Sequence, residues 1–234
     1  MKYMNVKLIS YSKPSFDLMH HTPDYVEEKM WETQHVQDLV AFCARVSNPD
    51  NQMNTETSGK LIKYLIKNKH WSPLEMVSVC MEIETTRDIA RQILRHRSFS
   101  FQEFSQRYAD PTKDLQFVTR EARLQDPKNR QNSIESEDDM LQHVWESRQL
   151  HLIEVAKIAY EWAIENGIAK EQARAVLPEG LIMSRMYMNG TLRSWVHYID
   201  LRSSNGTQKE HSDIAKECWK IIGTHFPSVI KAFE

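Results

Sequence analysis

The chain switches between two hydrophobic periods, and the switches outline its elements. Near the N-terminus, "MNVKLISYS" sets apolar and polar residues in turn and predicts a strand. Thr22-Pro23 then reads as a helix start, a cap residue followed by proline at the first helical position. Val26, Met30, Leu39, Val40, Cys43 and Val46 follow one helical face, which Asn48-Pro49 ends. Leu61, Ile62, Leu65 and Ile66 mark a second helix with i, i+3, i+4 spacing. In "MVSVCMEIE" the period drops to two, so Val77, Val79, Met81 and Ile83 share one face of a half-buried strand. Helical spacing returns with Ile89, Ile93 and Leu94 in "TRDIARQILRHR".

Residues 110 to 139 show no clear period, and "QDPKNRQNSIESEDD" within them reads as a mobile surface loop. A long helix is predicted from about Met140 to Asn166, stopped by Gly167, and a short one over "KEQARAVL". "LIMSRMYM" is strand-like and leads to an Asn189-Gly190 turn, then to a helix through "LRSWVHYIDLR". The last helix runs from about Ser212 to Thr224, ahead of Pro227. Helix outweighs strand and the two do not alternate regularly, which gives an α+β class. No linker or repeat divides the chain, so residues 1–234 are expected to form a single domain.

Composition narrows the function. With 41% hydrophobic residues among 234 the chain supports a sizeable core. A formal net charge of -2 supplies no global basic field for nucleic acid, so any positive patch is local and suits a small anion. Cys43, Cys80 and Cys218 are scattered without CxxC spacing, which argues against disulfides and a zinc site and for a reducing compartment. The His20-His21 pair has no third ligand at metal spacing, so no metal is assigned. There is no long apolar run of signal-peptide or membrane-spanning type; the expectation is a cytoplasmic protein with no membrane partner.

The unusual stretch is "RHRSFSFQEFSQRY", residues 95–108. It carries Arg95, His96, Arg97 and Arg107 with Ser98, Ser100 and Ser105, and interleaves Phe99, Phe101, Phe104 and Tyr108. Arginine can grip phosphate through a two-pronged fork that lysine lacks. Arg87, Arg91 and Arg95, four apart, share a helical face just upstream. Their mutual repulsion costs about 0.2–0.5 kcal/mol per pair and is tolerated where acids or an anionic ligand neutralise them. His96, flanked by cations, is expected to be neutral at pH 7. No GxGxxG or GxxxxGK[ST] occurs, and with only six glycines the chain has no glycine-rich phosphate cradle. Read alone, the residues define a nucleotide or other anion site.

Arg95-His96-Arg97, seven residues and then Ser105 resembles the RHR-x7-S signature of the flavin-dependent thymidylate synthases. Glu103, Arg107 and Tyr108 stand in register with the fuller pattern, while Gln102 occupies a place where members often carry Asn. "HWSPLE", "ARAVLP" and "LRSWVHYIDLR" resemble three further family segments, so the likeness runs from about residue 35 to 215. The fold it implies is helix-rich, with a small mixed sheet and long central helices.

The implied reaction is reductive methylation of deoxyuridylate (dUMP) to thymidylate, with methylenetetrahydrofolate giving the carbon and FAD reduced by NADPH giving the hydride. By the same resemblance, Gln92, Arg95, Glu103, Ser105, Arg107, Arg174 and Arg202 bind dUMP, and Arg202 is catalytic, stabilising charge on the uracil. Ser72, Glu75, Arg95, His96, Arg97, Arg193 and His197 bind FAD, and His70 lies near the folate or NADPH. The family forms homotetramers with shared sites and uses no cysteine nucleophile, and none of the three cysteines here has a cationic setting that would activate it. Two alternatives stand beside this: a single-stranded nucleic-acid module using arginine and aromatics, and a non-catalytic relative that binds flavin and nucleotide.

Overall fold

The period-two stretch forms a strand over Ser78–Thr86, in the middle of a four-stranded sheet. The structure is a computed structural model that describes residues 4–15, 36–204 and 206–233. The expected helix start at Thr22-Pro23, its positions Val26 and Met30, and the His20-His21 pair lie outside the described residues.

In chain order the elements are β1 (Asn5–Tyr11), α1 (Val36–Ala44), α2 (Ser58–Lys67), β2 (Ser78–Thr86), α3 (Arg87–Ile93), β3 (Ser100–Glu103) and α4 (Pro111–Asp114). Then come β4 (Arg123–Gln125), β5 (Ser133–Glu135), α5 (Asp139–Glu165), α6 (Lys170–Ala173), β6 (Met183–Thr191), α7 (Leu192–Ser203), α8 (Lys209–His225) and α9 (Pro227–Ile230). The main sheet has the order β1-β2-β6-β3, and every pairing is antiparallel. The expected mixed sheet is thus corrected to an antiparallel one: β2 and β3, which run the same way and are joined through α3, are not neighbours, because β6 lies between them and is antiparallel to both.

Alternation sorts the two faces of the sheet. Val79, Met81 and Ile83 of β2 and Met186 and Met188 of β6 are buried against a core that includes Trp195, Tyr198 and Ile199 of α7 and Ile214, Cys218 and Ile222 of α8. The opposite face is polar, with Lys7 on Glu82 at 3.3 Å and Arg185 on Glu84 at 2.7 Å as cross-strand pairs.

Two local expectations change. Asn189-Gly190 is not a turn; both residues belong to β6, paired with Cys80 and Val79. Glycine is needed there for close approach, since a Cβ on Gly190 would stand 2.4 Å from Cδ1 of Phe99. The chain then enters α7 directly, capped by Thr191, whose Oγ1 accepts the Ser194 amide at 3.3 Å. The segment at 120–139 holds a short hairpin, β4–β5, closed where the Asp126 carboxylate accepts the amides of Lys128 at 2.8 Å and Asn129 at 3.1 Å. Strands of three residues are too short to show a period.

Helix α5 starts on the Asp138 cap and ends before Gly167, which sits at φ 77°. Gln142 and Gln149, two turns apart on one face, tie it to the segment before β4. Gln142 exchanges hydrogen bonds with the backbone of Ala122, and Gln149 does the same with Arg120. Ile153, Ala156 and Tyr160 bury that same face, while Met140, Val144, Val155, Ile158 and Trp162 leave an apolar stripe exposed on the other.

Candidate functional site

Of the predicted arginine stripe, Arg87 and Arg91 lie on α3 and Arg95 lies just past its end at Ile93. Arg87, only 8% exposed, lies 3.4 Å from Glu103 on β3 and 3.6 Å from Glu179. Arg91 donates to the same Glu179 through Nε at 2.6 Å. Glu103 also accepts the Ser184 hydroxyl at 2.7 Å, so within this chain its carboxylate is held by Arg87 and β6. Two of the three stripe members are therefore structural ion pairs. Arg95 and Arg97, both exposed, have no carboxylate partner among the described residues.

Gln92 faces the other side of α3. Its Nε2 donates to Gln208 Oε1 at 2.8 Å and its Oε1 lies 3.4 Å from Nδ1 of His211 on α8. The connection from α3 to β3 is tightly wound, with the His96 amide on Ile93 and the Phe99 amide on His96. Phe99 points inward onto Trp195 at 4.9 Å and Tyr198 at 5.9 Å. His96 also turns inward, its ring edge-on to Tyr198 at 4.8 Å, and its Nε2 accepts Nε–H of Arg202 at 2.9 Å. Burial, then Arg202 and Arg95, pull the His96 pKa down to about 4, which leaves the imidazole neutral as the sequence implied. Arg202 is fixed by an imidazole, not by the carbonyls of its helix end.

A second group gathers after β3. Arg107 pairs with Glu171 of α6 at 3.3 Å, and Arg174 Nε donates to the Glu171 carbonyl at 3.3 Å. The Ser105 hydroxyl accepts the Arg107 amide at 3.4 Å, and among the described residues no histidine or carboxylate is bonded to it to equip it as a nucleophile. Tyr108 is 82% exposed, its carbonyl taken by Lys170 at 2.9 Å.

A third group lies where the 3-10 turn Ser72–Met76 meets α7. Glu75 is ion-paired with Arg193, and His197, one turn along, sets its ring edge-on to Trp71 at 4.6 Å. Ser72 is exposed at the start of this turn. His70 is exposed beside Tyr64 at 5.9 Å, where α2 ends in a Schellman arrangement with Lys69 at φ 59°. Ser194 Oγ donates to the Ser98 carbonyl at 3.2 Å and so joins this group to the connection that bears Arg95 and Arg97.

The structure thus brings Ser72, Glu75, Arg193 and His197 together, and Gln92, His96 and Arg202 together. Ser105, Arg107 and Arg174 form a group of their own. Sequence reading missed Glu171, Glu179, Tyr198, Gln208 and His211. All five act through contacts distant in sequence; only a histidine at an apolar position of α8 gave any signal. The cysteines are inert in setting, since burial raises the thiol pKa at Cys43, Cys80 and the fully buried Cys218. Among the described residues no His, Cys, Asp and Glu group is placed to hold a metal, and no helix is long and apolar enough to cross a membrane.

Residues 29–228 match the family described as "Thymidylate synthase complementing protein". The chain is 44% identical over 231 residues to "Probable flavin-dependent thymidylate synthase" of Paramecium bursaria Chlorella virus 1, covering 99% of each. It is also 44% identical to "Flavin-dependent thymidylate synthase" of Synechocystis, covering 99% of this chain and 100% of that one. The chain belongs to the flavin-dependent thymidylate synthase family. A UMP/dUMP methylase, PolB, from Streptomyces cacaoi, solved with 5-Br dUMP, superposes with TM-score 0.78 at 24% identity over 98% of this chain and 94% of that one, which matches the fold. Membership fits this arrangement: Arg95 and Arg97 of the RHR signature have no carboxylate partner among the described residues, while the neighbouring Arg87, Arg91 and Arg107 are ion-paired.

Proposed function

We propose that the protein methylates the uracil of dUMP reductively to give thymidylate, with FAD as bound cofactor, methylenetetrahydrofolate as carbon donor and NADPH as reductant. The observation that carries the reading is the hydrogen bond from Arg202 to a neutral His96 inside the RHR signature, flanked by the unneutralised Arg95 and Arg97. The donor set suits a flavin dinucleotide. Arg95, Arg97 and Arg193 offer guanidinium forks for the diphosphate, while Ser72, Glu75, His96 and His197 offer polar groups and ring edges for the rest. When bound, the flavin supplies the redox step and carries the one-carbon unit, chemistry no side chain can provide.

The residues of the chain bind, orient and polarise. Arg202, its Nε committed to His96, keeps its terminal N–H groups for the carbonyl and N3 edge of the uracil, where negative charge develops as C5 becomes nucleophilic. Gln92 contributes its amide beside it. Ser105, Arg107 and Arg174 hold the phosphate and sugar end, and Glu103 lies at the ring. His70, exposed next to the flavin group, faces the folate or reductant. No cysteine attack on C6 is required, in keeping with three thiols whose pKa values burial raises.

The reading includes a homotetramer with sites shared between copies. Two observations support it. The residues assigned to dUMP fall on opposite sides of α3, Glu103 on the side of Arg87 and Gln92 on the side of His211, so one copy supplies only part of a closed pocket. The stripe Met140, Val144, Val155, Ile158 and Trp162 leaves α5 with an unburied apolar face.

The test is the visible spectrum of the protein supplied with FAD, before and after dUMP, followed by a methyl-transfer assay. A bound-flavin spectrum that shifts with dUMP, together with thymidylate formation, is expected. Flavin bound without turnover would favour the non-catalytic relative. Absence of flavin binding would sink the proposal.

A further inference from the structure

Behind Gln92 lies a chain of buried polar groups whose direction can be deduced. Tyr198 of α7 is 1% exposed and His211 of α8 is fully buried. Burial holds the Tyr198 phenol protonated and holds the imidazole neutral, its pKa pulled down to about 3 with help from Arg202 and His96. The Tyr198 hydroxyl lies 3.1 Å from His211 Nε2, its hydrogen-bond partner among the described residues. A buried O–H must donate, so Nε2 accepts and the proton of the ring sits on Nδ1. Nδ1–H in turn faces Gln92 Oε1 at 3.4 Å, and Gln92 Nε2 donates to Gln208 Oε1 at 2.8 Å.

Resting on the proposed nucleotide role of Gln92, we infer that His211 is a positioning residue that fixes the Gln92 amide in one orientation and thereby makes the site read uracil rather than cytosine. The chemistry is as follows. The imide edge of uracil presents acceptor, donor, acceptor; the matching edge of cytosine presents acceptor, acceptor, donor. A glutamine amide free to flip complements either. With its oxygen held on His211 and its nitrogen on Gln208, the remaining lone pair and N–H have a fixed order, and the wrong base leaves them unpaired.

The experiment measures dUMP and dCMP affinity by the spectrum of bound FAD in the assembled protein. Variants are His211→Phe, His211→Asn, His211→Gln, Tyr198→Phe and Gln92→Ala. Asparagine can place an N–H where Nδ1 stood; glutamine reaches the Nε2 position instead. His211→Phe and His211→Gln are expected to lower the dUMP-over-dCMP preference at least tenfold with FAD affinity unchanged, and His211→Asn to restore most of it. Tyr198→Phe frees the tautomer and lowers the preference too, in a variant that keeps its core ring should His211→Phe fail to fold. A role confined to packing would make Asn as harmful as Phe and leave the base preference alone. Weakened dUMP binding in Gln92→Ala with an unaltered preference in the His211 and Tyr198 variants would overturn this inference alone. Unaltered dUMP binding in Gln92→Ala would remove the nucleotide role of Gln92 and the inference with it.

Discussion

Gly190→Ala tests whether the sheet positions the RHR connection. Gly190 is buried on β6, opposite Val79. An added Cβ would meet Phe99 at 2.4 Å from Cδ1, 2.6 Å from Cε1 and 3.2 Å from Cγ. Comfortable carbon contacts begin near ~3.5 Å, so the ring must retreat by about 1 Å. It has nowhere easy to go, being 9% exposed and wedged against Trp195 at 4.9 Å. Overpacking of this kind costs about 1–3 kcal/mol, offset by the ~0.5–1 kcal/mol gained when glycine leaves a strand interior. A net loss of about 1–2 kcal/mol is expected in denaturant unfolding, and because Phe99 lies two residues after Arg97, weaker FAD binding should accompany it. The penalty should shrink in a Phe99→Leu background. An unchanged unfolding midpoint and FAD affinity, or a penalty that persists undiminished without the ring, would refute the reasoning.

Arg202→Ala should abolish thymidylate formation while leaving FAD bound, read by product assay and visible spectrum; near-normal turnover would remove its assigned role. Ser105→Ala should keep measurable turnover with weaker dUMP binding, whereas a trapped covalent adduct at Ser105 would make it a nucleophile. Gln149→Leu leaves the backbone N–H and C=O of Arg120 without partners and should cost about 2–4 kcal/mol in unfolding, with no loss if solvent satisfies both. The folded pKa values of His96 and His211, about 4 and about 3, lie below the ordinary imidazole value of 6.5, so the unfolded chain binds protons first as pH falls. Their stabilisation is therefore complete above pH 6.5 and lost progressively below it; unfolding of His96→Asn should depend less steeply on pH between 6.5 and 4 than the native chain, and an identical slope would contradict the shift.

Periodicity made β2, α2, α5 and α8 readable, because each has enough residues for a face to declare itself. It failed where tertiary contact replaces pattern. Asn189-Gly190 carries the composition of a turn, yet the ring of Phe99 fills the space a side chain would take, and the glycine serves the packing. The hairpin at β4–β5 rests on the Asx-type bonds of Asp126, which no hydrophobic period reports. For the site, the RHR segment announced cations, but the sequence could not say which arginines were spent on Glu103 of that same segment or on Glu171 and Glu179, which distant segments supply. Nor could it show that His96 faces Arg202, a contact across 106 positions.

That distribution of charge carries a functional argument of its own. A chain that needed arginines only to brace α3 would pair them all, as it pairs Arg87 and Arg91. Instead Arg95 and Arg97 stand exposed on either side of His96, which turns inward and which burial, Arg202 and Arg95 keep neutral. Leaving like charges together is a standing electrostatic cost that an anionic ligand relieves on binding. Ligand binding then stabilises the fold by RT ln(1 + [L]/Kd), and the relief is concentrated on the connection that carries His96 and Phe99. The connection also sets the imidazole against which Arg202 is held, so under the proposed function occupancy of the cofactor site and orientation of Arg202 are expected to be coupled through six residues of backbone, 94–99.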